Sequence, residues 1–494
     1  MRLFRGILLL CIWSNLAMAQ RPPSSPRQLA RAIRQIVEAD TFRNAFWGIV
    51  IHDLTHDRRL YEQHADKSFI PASNMKLYTT AAALELLGPD FRYETTVYSY
   101  IDSTNAGVKQ HLIVRGSGDP TIGGRFYDGD YTRTFRDWAD SLKAHGIRII
   151  TGDIVGDDNV FDDVPLGYGW SWDDEPYWYS AELGGLVFND NCVDVTIVGL
   201  RRGTPALISW EPYQTDYVRI VNATVTLPPD SSLTEGYERR RGSNTIRIFS
   251  RVPEGRIDFE SLTVTNPTRY FIHVLRTALN RAGIPVLGDE RDVDELSLLP
   301  TYRPPAFRRV ATHYSPPLRE IVRVINKRSQ NLYADQLLKT LGTLDGLPGS
   351  HPRGIARARE VFARAGIDTS RIQMVDGSGL SRMNLVTPEM TVKLLRYMWH
   401  HPDTTVRQAF YDSLPVGGVD GTLEHRYTPD DPAYRNVRAK TGYVSNVRTL
   451  SGYVKTAGGT FIAFSLMCNH YTVPTRVVNR AQDAIVNLLA RYTR

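Results

Sequence analysis

The sequence predicts an α/β protein whose two ends form one domain, interrupted by a large and mostly β insertion. The chain has 494 residues, which exceeds the roughly 250–300 at which a single hydrophobic core stops growing. Helical periodicity is found near both ends, in residues 20–90 and 300–494. Between them, residues 91–299 show short strand-like runs separated by turn clusters. We therefore expect a discontinuous domain of residues 20–90 and 300–494, with residues 91–299 inserted into it.

The first 19 residues have the features of a secretory signal peptide. Arg2 and Arg5 form a basic start, residues 6–13 are apolar, and the small residues of Ala17-Met18-Ala19 follow. We expect residues 1–19 to be removed by cleavage before Gln20. The mature protein is then exported, and is periplasmic or associated with the cell envelope.

A lipoprotein signal is the alternative interpretation of this segment. It would use Cys11, but the preceding Leu10 is bulky and the apolar stretch is short. No later stretch approaches the roughly 18 apolar residues of a membrane span. We therefore expect a mature protein that does not cross a membrane.

The charge balance of the chain is mild. The formal net charge is +6, and loss of Arg2 and Arg5 lowers it to +4. The densest basic run, Arg239-Arg240-Arg241, follows Glu238 and is interpreted as a solvated turn rather than a nucleic-acid patch. We expect no nucleic-acid partner and at most weak attraction to anionic envelope polymers.

Signal cleavage would leave two cysteines, Cys192 and Cys468. Two are too few for a scaffold built on disulfides, even in an oxidising compartment. Whether these two pair stays open at this point.

The region before residue 90 predicts two strands and a helix. Residues 46–54 and 59–64 have strand character and are joined by a turn at 55–58. A segment rich in Ala, Leu and Thr then runs from Pro71 to Gly88-Pro89. Pro at its entrance and Gly-Pro at its exit predict the boundaries of a helix.

The C-terminal part predicts further helices, three strands and a last helix. Helical periodicity occurs at 318–325, 333–341 and 356–365, and strand patterns at 437–444, 448–454 and 461–468. The last helix covers about residues 476–489, where Ala484, Ile485, Leu488 and Leu489 form one apolar stripe. We expect this stripe to dock on the domain, which leaves at most weak peripheral contact with a membrane.

Ser73 and Lys76 are candidates for a nucleophile and its base. A serine hydroxyl is a poor nucleophile at neutral pH and needs a base within hydrogen-bond reach. Residues three apart on a helix lie on one face, and the start of a helix adds a positive field. This field lowers the lysine pKa toward the range where a free amine accepts a proton. The pair alone is a weak signal, because most such pairs are exposed and idle.

Two further motifs make the pair specific. Ser329-Gln330-Asn331 lies between two helical patterns, and Lys440-Thr441-Gly442 lies on a predicted strand. The ordered set S-x-x-K, S-x-N and K-T-G is the signature of penicillin-interacting serine enzymes. The chain thus resembles the D-alanyl-D-alanine carboxypeptidase/endopeptidase family, the class C low-molecular-mass penicillin-binding proteins. Supporting stretches are Pro71 to Leu77, Gly116-Ser117-Gly118-Asp119-Pro120, Asp376 to Arg382 and Asp420-Gly421-Thr422-Leu423.

The resemblance implies the architecture of the chain. Ser73 and Ser329 are separated by 256 positions, a far longer gap than in β-lactamases, and the inserted region accounts for the difference. The family's fold is a penicillin-binding-protein/β-lactamase-like transpeptidase domain, an antiparallel sheet flanked by helices. The resemblance further implies that the insertion comprises two smaller sub-domains.

The resemblance also implies a mechanism. Lys76 takes the proton of Ser73, which attacks the carbonyl of the penultimate D-alanine and forms an acyl-enzyme. Ser329 relays a proton to the leaving amine, and Lys440 is the cation that tunes this network.

The remaining motif residues are implied to hold the substrate. Asn331 binds the backbone amide of the substrate, and Thr441 with Lys440 receives its terminal carboxylate. The backbone N–H groups of Ser73 and Tyr443 form the oxyanion hole. The strand is an edge on which a peptide can add by main-chain pairing, and Gly442 allows its backbone to come close.

A family pocket for the diaminopimelate side chain maps to Arg382 and Asp157. The assignment of the acid rests on a short match around residues 157–161, so Asp158 is an alternative. Arg382 is alternatively an anchor of its own turn through an ion pair.

Each motif also has a structural interpretation. Ser329 and Asn331 could cap a helix, Lys440 could be a solvated strand residue, and Gly442 could mark a bulge. The turn Asp376-Gly377-Ser378-Gly379 is interpreted as structural because its residues are those of a tight turn.

The function predicted from these motifs is cleavage of peptidoglycan stem peptides by a serine D-Ala-D-Ala carboxypeptidase, endopeptidase or both. β-Lactam antibiotics are the expected covalent inhibitors, and neither a cofactor nor a metal is expected. The alternatives are a β-lactamase or esterase on the same scaffold, and a non-catalytic envelope protein that binds peptidoglycan. Sequence alone leaves the oligomeric state open.

Overall fold

The computed structural model describes residues 22–104, 107–296, 300, 302–303 and 306–494. The predicted signal peptide, residues 1–19, lies outside the described residues. Within it the helices are α1 (Pro26–Val37), α2 (Met75–Leu87), α3 (Arg133–Ala144), α4 (Pro267–Arg281), α5 (Leu318–Arg328), α6 (Asn331–Leu341), α7 (His351–Arg364), α8 (Pro388–Trp399), α9 (Thr404–Ser413) and α10 (Thr475–Ala490).

The strands alternate with these helices and are densest in the middle of the chain. They are β1 (Phe46–Asp53), β2 (Arg58–Gln63), β3 (Glu94–Thr104), β4 (Gly107–Arg115), β5 (Ile154–Asp157), β6 (Cys192–Val198), β7 (Leu207–Glu211), β8 (Arg219–Asn222), β9 (Val225–Leu227), β10 (Tyr237–Arg239), β11 (Thr245–Ile248), β12 (Arg251–Pro253), β13 (Ile257–Thr263), β14 (Glu290–Asp292), β15 (Phe307–Tyr314), β16 (Arg438–Val444), β17 (Val447–Lys455) and β18 (Phe461–Asn469).

One antiparallel sheet draws its strands from both ends of the chain. Its order is β16-β17-β18-β1-β2, and β1 pairs with β18 from Phe46 opposite Asn469 to Asp53 opposite Ile462. The strands β1, β17 and β18 are buried along almost their whole length, because helices cover both faces. This sheet with its flanking helices confirms the predicted fold class.

Helix α2 is the centre of the helical layer on one face of the sheet. Every residue from Met75 to Leu84 is buried, and the helix contacts α5, α6 and α7. A helix that is apolar on all sides lies inside a protein rather than on its surface. The helix that begins just after Ser73 is therefore fixed by the core itself.

Helices α1 and α10 cover the other face of the sheet. The buried residues of α10 include Val478, Ile485 and Leu489, which join the same apolar cluster as Leu29 and Ile33 of α1. The apolar stripe of the last helix is therefore docked on the domain. In the described residues no helix is long and apolar enough to cross a membrane.

The inserted region contains a second five-stranded sheet and several small ones. The larger sheet has the order β14-β5-β4-β3-β15, and the smaller ones are β13-β6-β7, β10-β11-β8 and β12-β9. Residues from both groups, such as Val97 and Val195, belong to one apolar cluster together with α3 and α4. The inserted sheets thus share a core.

Strand β15 corrects the predicted border of the insertion. It pairs with β3, with Tyr314 opposite Glu94, so it belongs to the inserted sheet although it follows residue 299. The chain returns to the first domain at Leu318, where α5 begins. The border therefore lies near residue 315. The sequence did not predict it, because strand pairing across more than 200 positions leaves no local signal.

The two cysteines are both free and buried. Cys192 begins β6 of the inserted region, and Cys468 lies in β18 of the first sheet. The two thiols are unpaired in this structure.

Candidate active site

Ser73 lies on a tight turn at the entrance of α2. The turn covers Ala72–Asn74, and helix α2 begins at Met75, so Ser73 precedes the helix on which the sequence places it. Ala72 adopts a positive φ of 46°, a backbone conformation that is unfavourable for any residue with a side chain. Gly379 packs so closely on the carbonyl oxygen of Ala72 that no Cβ would fit there. The core thus fixes a strained turn that presents the serine.

Lys76 is fully buried and lies next to the serine. Its Nζ donates to Ser73 Oγ at 3.0 Å, to Asn331 Oδ1 at 2.6 Å and to the carbonyl oxygen of Ser378 at 2.8 Å. Burial lowers the pKa of Lys76 to about 7, against the opposing effect of Asp335 and Asp376. The amine therefore exchanges protons near neutral pH, as a general base must.

Two buried carboxylates stand behind Lys76. Asp335 accepts from Gly377 N at 2.6 Å, and Asp376 accepts from Gly379 N and Ser381 N. Burial and the neighbouring Asp335 raise the pKa of Asp376. The turn at residues 376–379 is therefore structural, as predicted, and it also supplies the Ser378 carbonyl to Lys76. Sequence reasoning missed Asp335, which lies in the middle of α6 without a motif around it.

Ser329 and Lys440 form a second pair. Ser329 ends α5 with a φ of 60°, and its Oγ accepts from Lys440 Nζ at 2.9 Å. Lys440 also donates to the carbonyl oxygen of Thr441. Burial, followed by the charges of Lys76 and Arg448, lowers the pKa of Lys440 well below its ordinary value. Lys440 is therefore a buried group of the site rather than a solvated strand residue.

Asn331 connects the first pair to the inserted region. Its Oδ1 accepts from Lys76, and its Nδ2 donates to the carbonyl oxygen of Tyr179 at 2.7 Å. The side chain is buried at the start of α6. It orients the base, and one Nδ2 hydrogen remains for a ligand.

Strand β16 forms the opposite wall and is an edge of its sheet. A Cβ on Gly442 would lie 2.7 Å from the carbonyl oxygen of Pro71 and 3.1 Å from Ser73 N, and it would overlap Thr449 Oγ1. The glycine therefore lets the strand approach the turn of Ser73, which is a different reason from the predicted approach of substrate. Asn74 Nδ2 fixes this contact by donating to the Lys440 carbonyl at 2.8 Å.

These residues open into one cavity of about 810 Å³. It is lined by Ser73, Gly169, Ser171, Asp173, Asp174, Trp178, Tyr179, Arg328, Ser329, Asn331, Gly379, Leu380, Arg382, Thr422, Thr441, Tyr443, Val444, Ser445 and Arg448. The three motifs therefore meet around one space, with Lys76 and Lys440 buried behind its wall.

Part of the cavity wall comes from the inserted region, between Gly169 and Tyr179. Trp170 Nε1 donates to Asp376 Oδ2 at 2.9 Å, and Asp173 and Asp174 line the opening. None of these residues stands in a recognisable motif, so sequence reasoning missed them. The insertion is therefore part of the site.

Asp157 is not brought into this cavity. It lies buried at the end of β5, where its carboxylate accepts from the hydroxyl of Tyr302. The alternative, Asp158, bonds to Thr268 and lies within 4.8 Å of the carboxylates of Asp163 and Asp294. The short match at residues 157–161 thus points to the end of strand β5. The acids that line the cavity, Asp173 and Asp174, lie about 15 residues later in the chain.

Arg382 does line the cavity. Its Nη1 donates to the carbonyl oxygen of Ser445 at 2.7 Å, which follows strand β16. The described residues include no carboxylate in an ion pair with Arg382. The guanidinium bridges the Gly-Ser-Gly turn and the strand while it faces the opening.

The fold is a sheet flanked by helices, and its cavity joins a Ser–Lys pair to the Ser-x-Asn and Lys-Thr-Gly motifs. These features define an active-site-serine enzyme of the penicillin-interacting class. Residues 29–492 match the model of the D-Ala-D-Ala carboxypeptidase 3 (S13) family, and the chain belongs to this family. It is a serine-type D-Ala-D-Ala carboxypeptidase, and the predicted resemblance is confirmed.

Individual relatives agree with this assignment. The chain is 33% identical to the D-alanyl-D-alanine carboxypeptidase of Actinomadura sp. (strain R39), over 96% of this chain and 87% of the relative. It is 26% identical to D-alanyl-D-alanine carboxypeptidase DacB of Haemophilus influenzae, over 86% and 85%. The crystal structure of penicillin binding protein 4 from Haemophilus influenzae has the same fold, with a TM-score of 0.78 at 23% identity over 93% of this chain and 99% of that one.

Proposed function

We propose that this enzyme cleaves D-alanyl bonds of peptidoglycan stem peptides with Ser73 as nucleophile and Lys76 as its base. The observation that carries the proposal is the 3.0 Å contact between Lys76 Nζ and Ser73 Oγ, with an amine whose pKa is about 7. Near neutral pH a large fraction of the lysine is then the free amine that accepts the serine proton. Among the described residues that line or adjoin the cavity, Lys76 alone combines a contact to Ser73 Oγ with a pKa of about 7.

The acylation step follows from this pair. Ser73 Oγ attacks the carbonyl carbon of the penultimate D-alanine while its proton passes to Lys76. The C–N bond breaks, the acyl group stays on Ser73, and the departing nitrogen takes up a proton. Water then hydrolyses the ester and frees Ser73.

Ser329 is proposed to deliver the proton to the leaving nitrogen. Its hydroxyl accepts from Lys440 at 2.9 Å and faces the cavity, so it can donate its own hydrogen to a group placed there. The Lys440 ammonium then donates a proton to Ser329 Oγ, which its lowered pKa favours, and it regains a proton from solvent. Ser329 and Lys440 are thus proposed to protonate the leaving nitrogen.

The carbonyl oxygen is proposed to be held by backbone N–H groups of Ser73 and Tyr443. The position of Gly442 beside Ser73 N supports this, because it brings the next residue of the strand to the turn. Fixed N–H donors stabilise the charge that develops in the transition state. The open edge of β16 is proposed to pair with the substrate's main chain, and the free hydrogen of Asn331 Nδ2 with its amide.

The opening of the cavity suits a side chain that carries one positive and one negative charge. The free end of diaminopimelate has one ammonium and one carboxylate group. Arg382 can receive the carboxylate, and Asp173 or Asp174 can receive the ammonium. We propose this set in place of Asp157, which lies outside the cavity.

Two finer properties rest on the same site. A cavity of about 810 Å³ has room for a cross-linked peptide as well as a terminal D-alanine, so we propose endopeptidase activity beside carboxypeptidase activity. β-Lactams are proposed to acylate Ser73, and the enzyme is proposed to work outside the cytoplasm.

Digestion of purified muropeptides tests the proposal. We expect release of D-alanine and loss of cross-linked dimers, and both should disappear in Ser73→Ala. Labelling by fluorescent penicillin should also be lost in this variant. Covalent labelling of Ser73→Ala would show another nucleophile, and rapid turnover of penicillin without action on muropeptides would favour a β-lactamase.

The opening is tested separately with Asp173→Asn and Asp174→Asn. At least one should raise KM about tenfold for a peptide with a free diaminopimelate end, because a charged contact is lost. Acetylation of that amine should remove the difference. Asp157→Asn serves as the matched control, and a larger effect there would restore the original assignment.

A further inference from the structure

Arg448 is a guanidinium at the cavity wall that the three motifs leave without a role. It lies on β17 directly opposite Tyr443 of β16 and lines the cavity with Ser73 and Thr441. Its Nε donates to Asn479 Oδ1 at 2.6 Å, which fixes the plane of the group. Its Nη1 reaches the carbonyl oxygen of Gly442 only at 3.5 Å.

Arg448 shares the attraction of one carboxylate, Asp483, with Arg426. Within the part of the chain that the structure describes, no carboxylate forms an ion pair with Arg448. The neighbouring Arg426 has such a partner, Asp483 at 2.7 Å. Burial and the repulsion of Arg426 lower the pKa of Arg448 to about 10, so it is still charged at neutral pH. A half-buried cation without a paired anion is stabilised less than a paired one, and a ligand can supply the missing carboxylate.

The other polar groups of this wall are already engaged. Lys440 Nζ is bonded to Ser329 and to its own strand, and Thr441 Oγ1 donates to Thr422 Oγ1 at 2.7 Å. Arg382 lies at the opening and donates to Ser445. Arg448 is therefore a permanently charged donor beside β16 with N–H groups that are available to a ligand.

We propose that Arg448 binds the carboxylate adjacent to the scissile bond and thereby selects the substrates of the enzyme. The inference rests on the proposed pairing of substrate with β16. Arginine holds carboxylates through two parallel hydrogen bonds, and Asn479 keeps this guanidinium oriented for them. The carboxylate replaces the missing counter-charge, so an uncharged end is bound less well.

The same chemistry covers both proposed activities. In a terminal D-Ala-D-Ala, the carboxylate stands on the carbon attached to the scissile nitrogen. In a cross-link between D-alanine and the D-centre of diaminopimelate, a free carboxylate stands on the equivalent carbon. One arginine can therefore serve carboxypeptidase and endopeptidase cleavage and reject ordinary internal peptide bonds.

The test compares a diacyl-lysyl-D-Ala-D-Ala peptide with its C-terminal amide in the full-length enzyme. In Arg448→Gln we expect kcat/KM for the acid to fall about 100-fold, as for loss of one partner of a buried charged pair. The kcat/KM for the amide should change less than about threefold. Arg448→Lys should recover part of the acid activity, because a charge without the bidentate geometry remains.

Arg328→Gln is the matched control, because it removes an exposed cation from the same cavity. Its ratio of kcat/KM for the acid to kcat/KM for the amide should stay within about threefold of the wild-type ratio, as for a charge at the rim of a site. Acylation rates with penicillin and penicillin methyl ester give a second acid-to-neutral ratio if amide cleavage is slow. Thermal unfolding of each variant reports on folding.

An equal fall for the acid and neutral ligands in Arg448→Gln would assign Arg448 a structural role and overturn the inference. An Arg448→Gln variant with full activity and an unchanged acid-to-amide ratio of kcat/KM would overturn the inference as well. Failure of the proposed function is distinct, because the wild-type enzyme would then leave the acid peptide uncleaved.

Discussion

Two buried lysines stand on opposite walls of the cavity, and their surroundings differ. Lys76 lies on the helical wall with Asp335 and Asp376 behind it, which hold its pKa at about 7 despite complete burial. Lys440 lies on the strand wall among cations, Lys76 and Arg448, and its pKa falls well below the ordinary value. Two carboxylates thus attract Lys76 on the helical wall, whereas among the described residues no carboxylate is found to act on Lys440 on the strand wall. The difference supports the proposed acceptance of the Ser73 proton on the first wall, and the proposed donation of a proton and binding of a carboxylate on the second.

The largest expected effect comes from removing the base on the helical wall. Lys76→Met should slow acylation of Ser73 by about 10³-fold, since a positioned general base contributes this order. Stopped-flow labelling with fluorescent penicillin measures it.

Lys339→Met is the control, because Lys339 is another fully buried lysine, held by Asp162 at 2.6 Å. Per folded molecule, its acylation rate should stay near that of the wild type. A comparable loss in both variants would mean that burial of charge, not base chemistry, explains the Lys76 result.

A smaller effect is expected from moving the strand wall. In Gly442→Ala the added Cβ meets Thr449 and the Pro71 carbonyl, so the strand must shift away from the turn of Ser73. We expect acylation to slow about 100-fold, as on loss of one oxyanion donor. Kinetics with penicillin measure it, and Gly458→Ala on the β17–β18 turn is a control for a change elsewhere in the sheet. Wild-type kinetics in Gly442→Ala would contradict the contact between the two walls.

The smallest expected effect is a change in pH dependence. Asp335 raises the pKa of Lys76, so Asp335→Asn should lower it further. Because the free amine is the active form, the acid limb of kcat/KM, with its midpoint near pH 7 in the wild type, should move down by about one pH unit.

The pH–rate profile with a D-Ala-D-Ala peptide measures this shift. Asp53→Asn removes another fully buried carboxylate that does not act on Lys76, and its profile should coincide with that of the wild type. A shift toward higher pH in Asp335→Asn would contradict the role given to this wall.

Much of the site could be predicted from the sequence, because its motifs are short and local. Ser73 and Lys76 are three positions apart at a helix entrance, and Gly442 stands in a strand pattern, so each pattern carries its own signal. Family resemblance then placed the three motifs around one space, and the cavity contains or adjoins all of them.

The parts that could not be predicted depend on contacts between distant segments. Asp335 acts on Lys76 through packing of α6 on α2, and nothing near it in the sequence marks it. The short match at residues 157–161 points to Asp157 as the acid of the side-chain pocket, but Asp157 lies outside the cavity. Which loop of the inserted region reaches the cavity depends on tertiary structure, and a match of five residues carries no information about it. Arg448 is visible as part of the site only once β17 is paired with β16.

The shared sheet has a consequence for how the enzyme matures. The amide of Asn74 bonds to the carbonyl of Lys440 across 366 positions, and β1 pairs with the last strand, β18. Ser73 is synthesised well before its opposing strand, β16. Pairing across such separations is slow, because the whole intervening chain must be ordered first. The cavity around Ser73 is therefore complete only after these distant segments have paired.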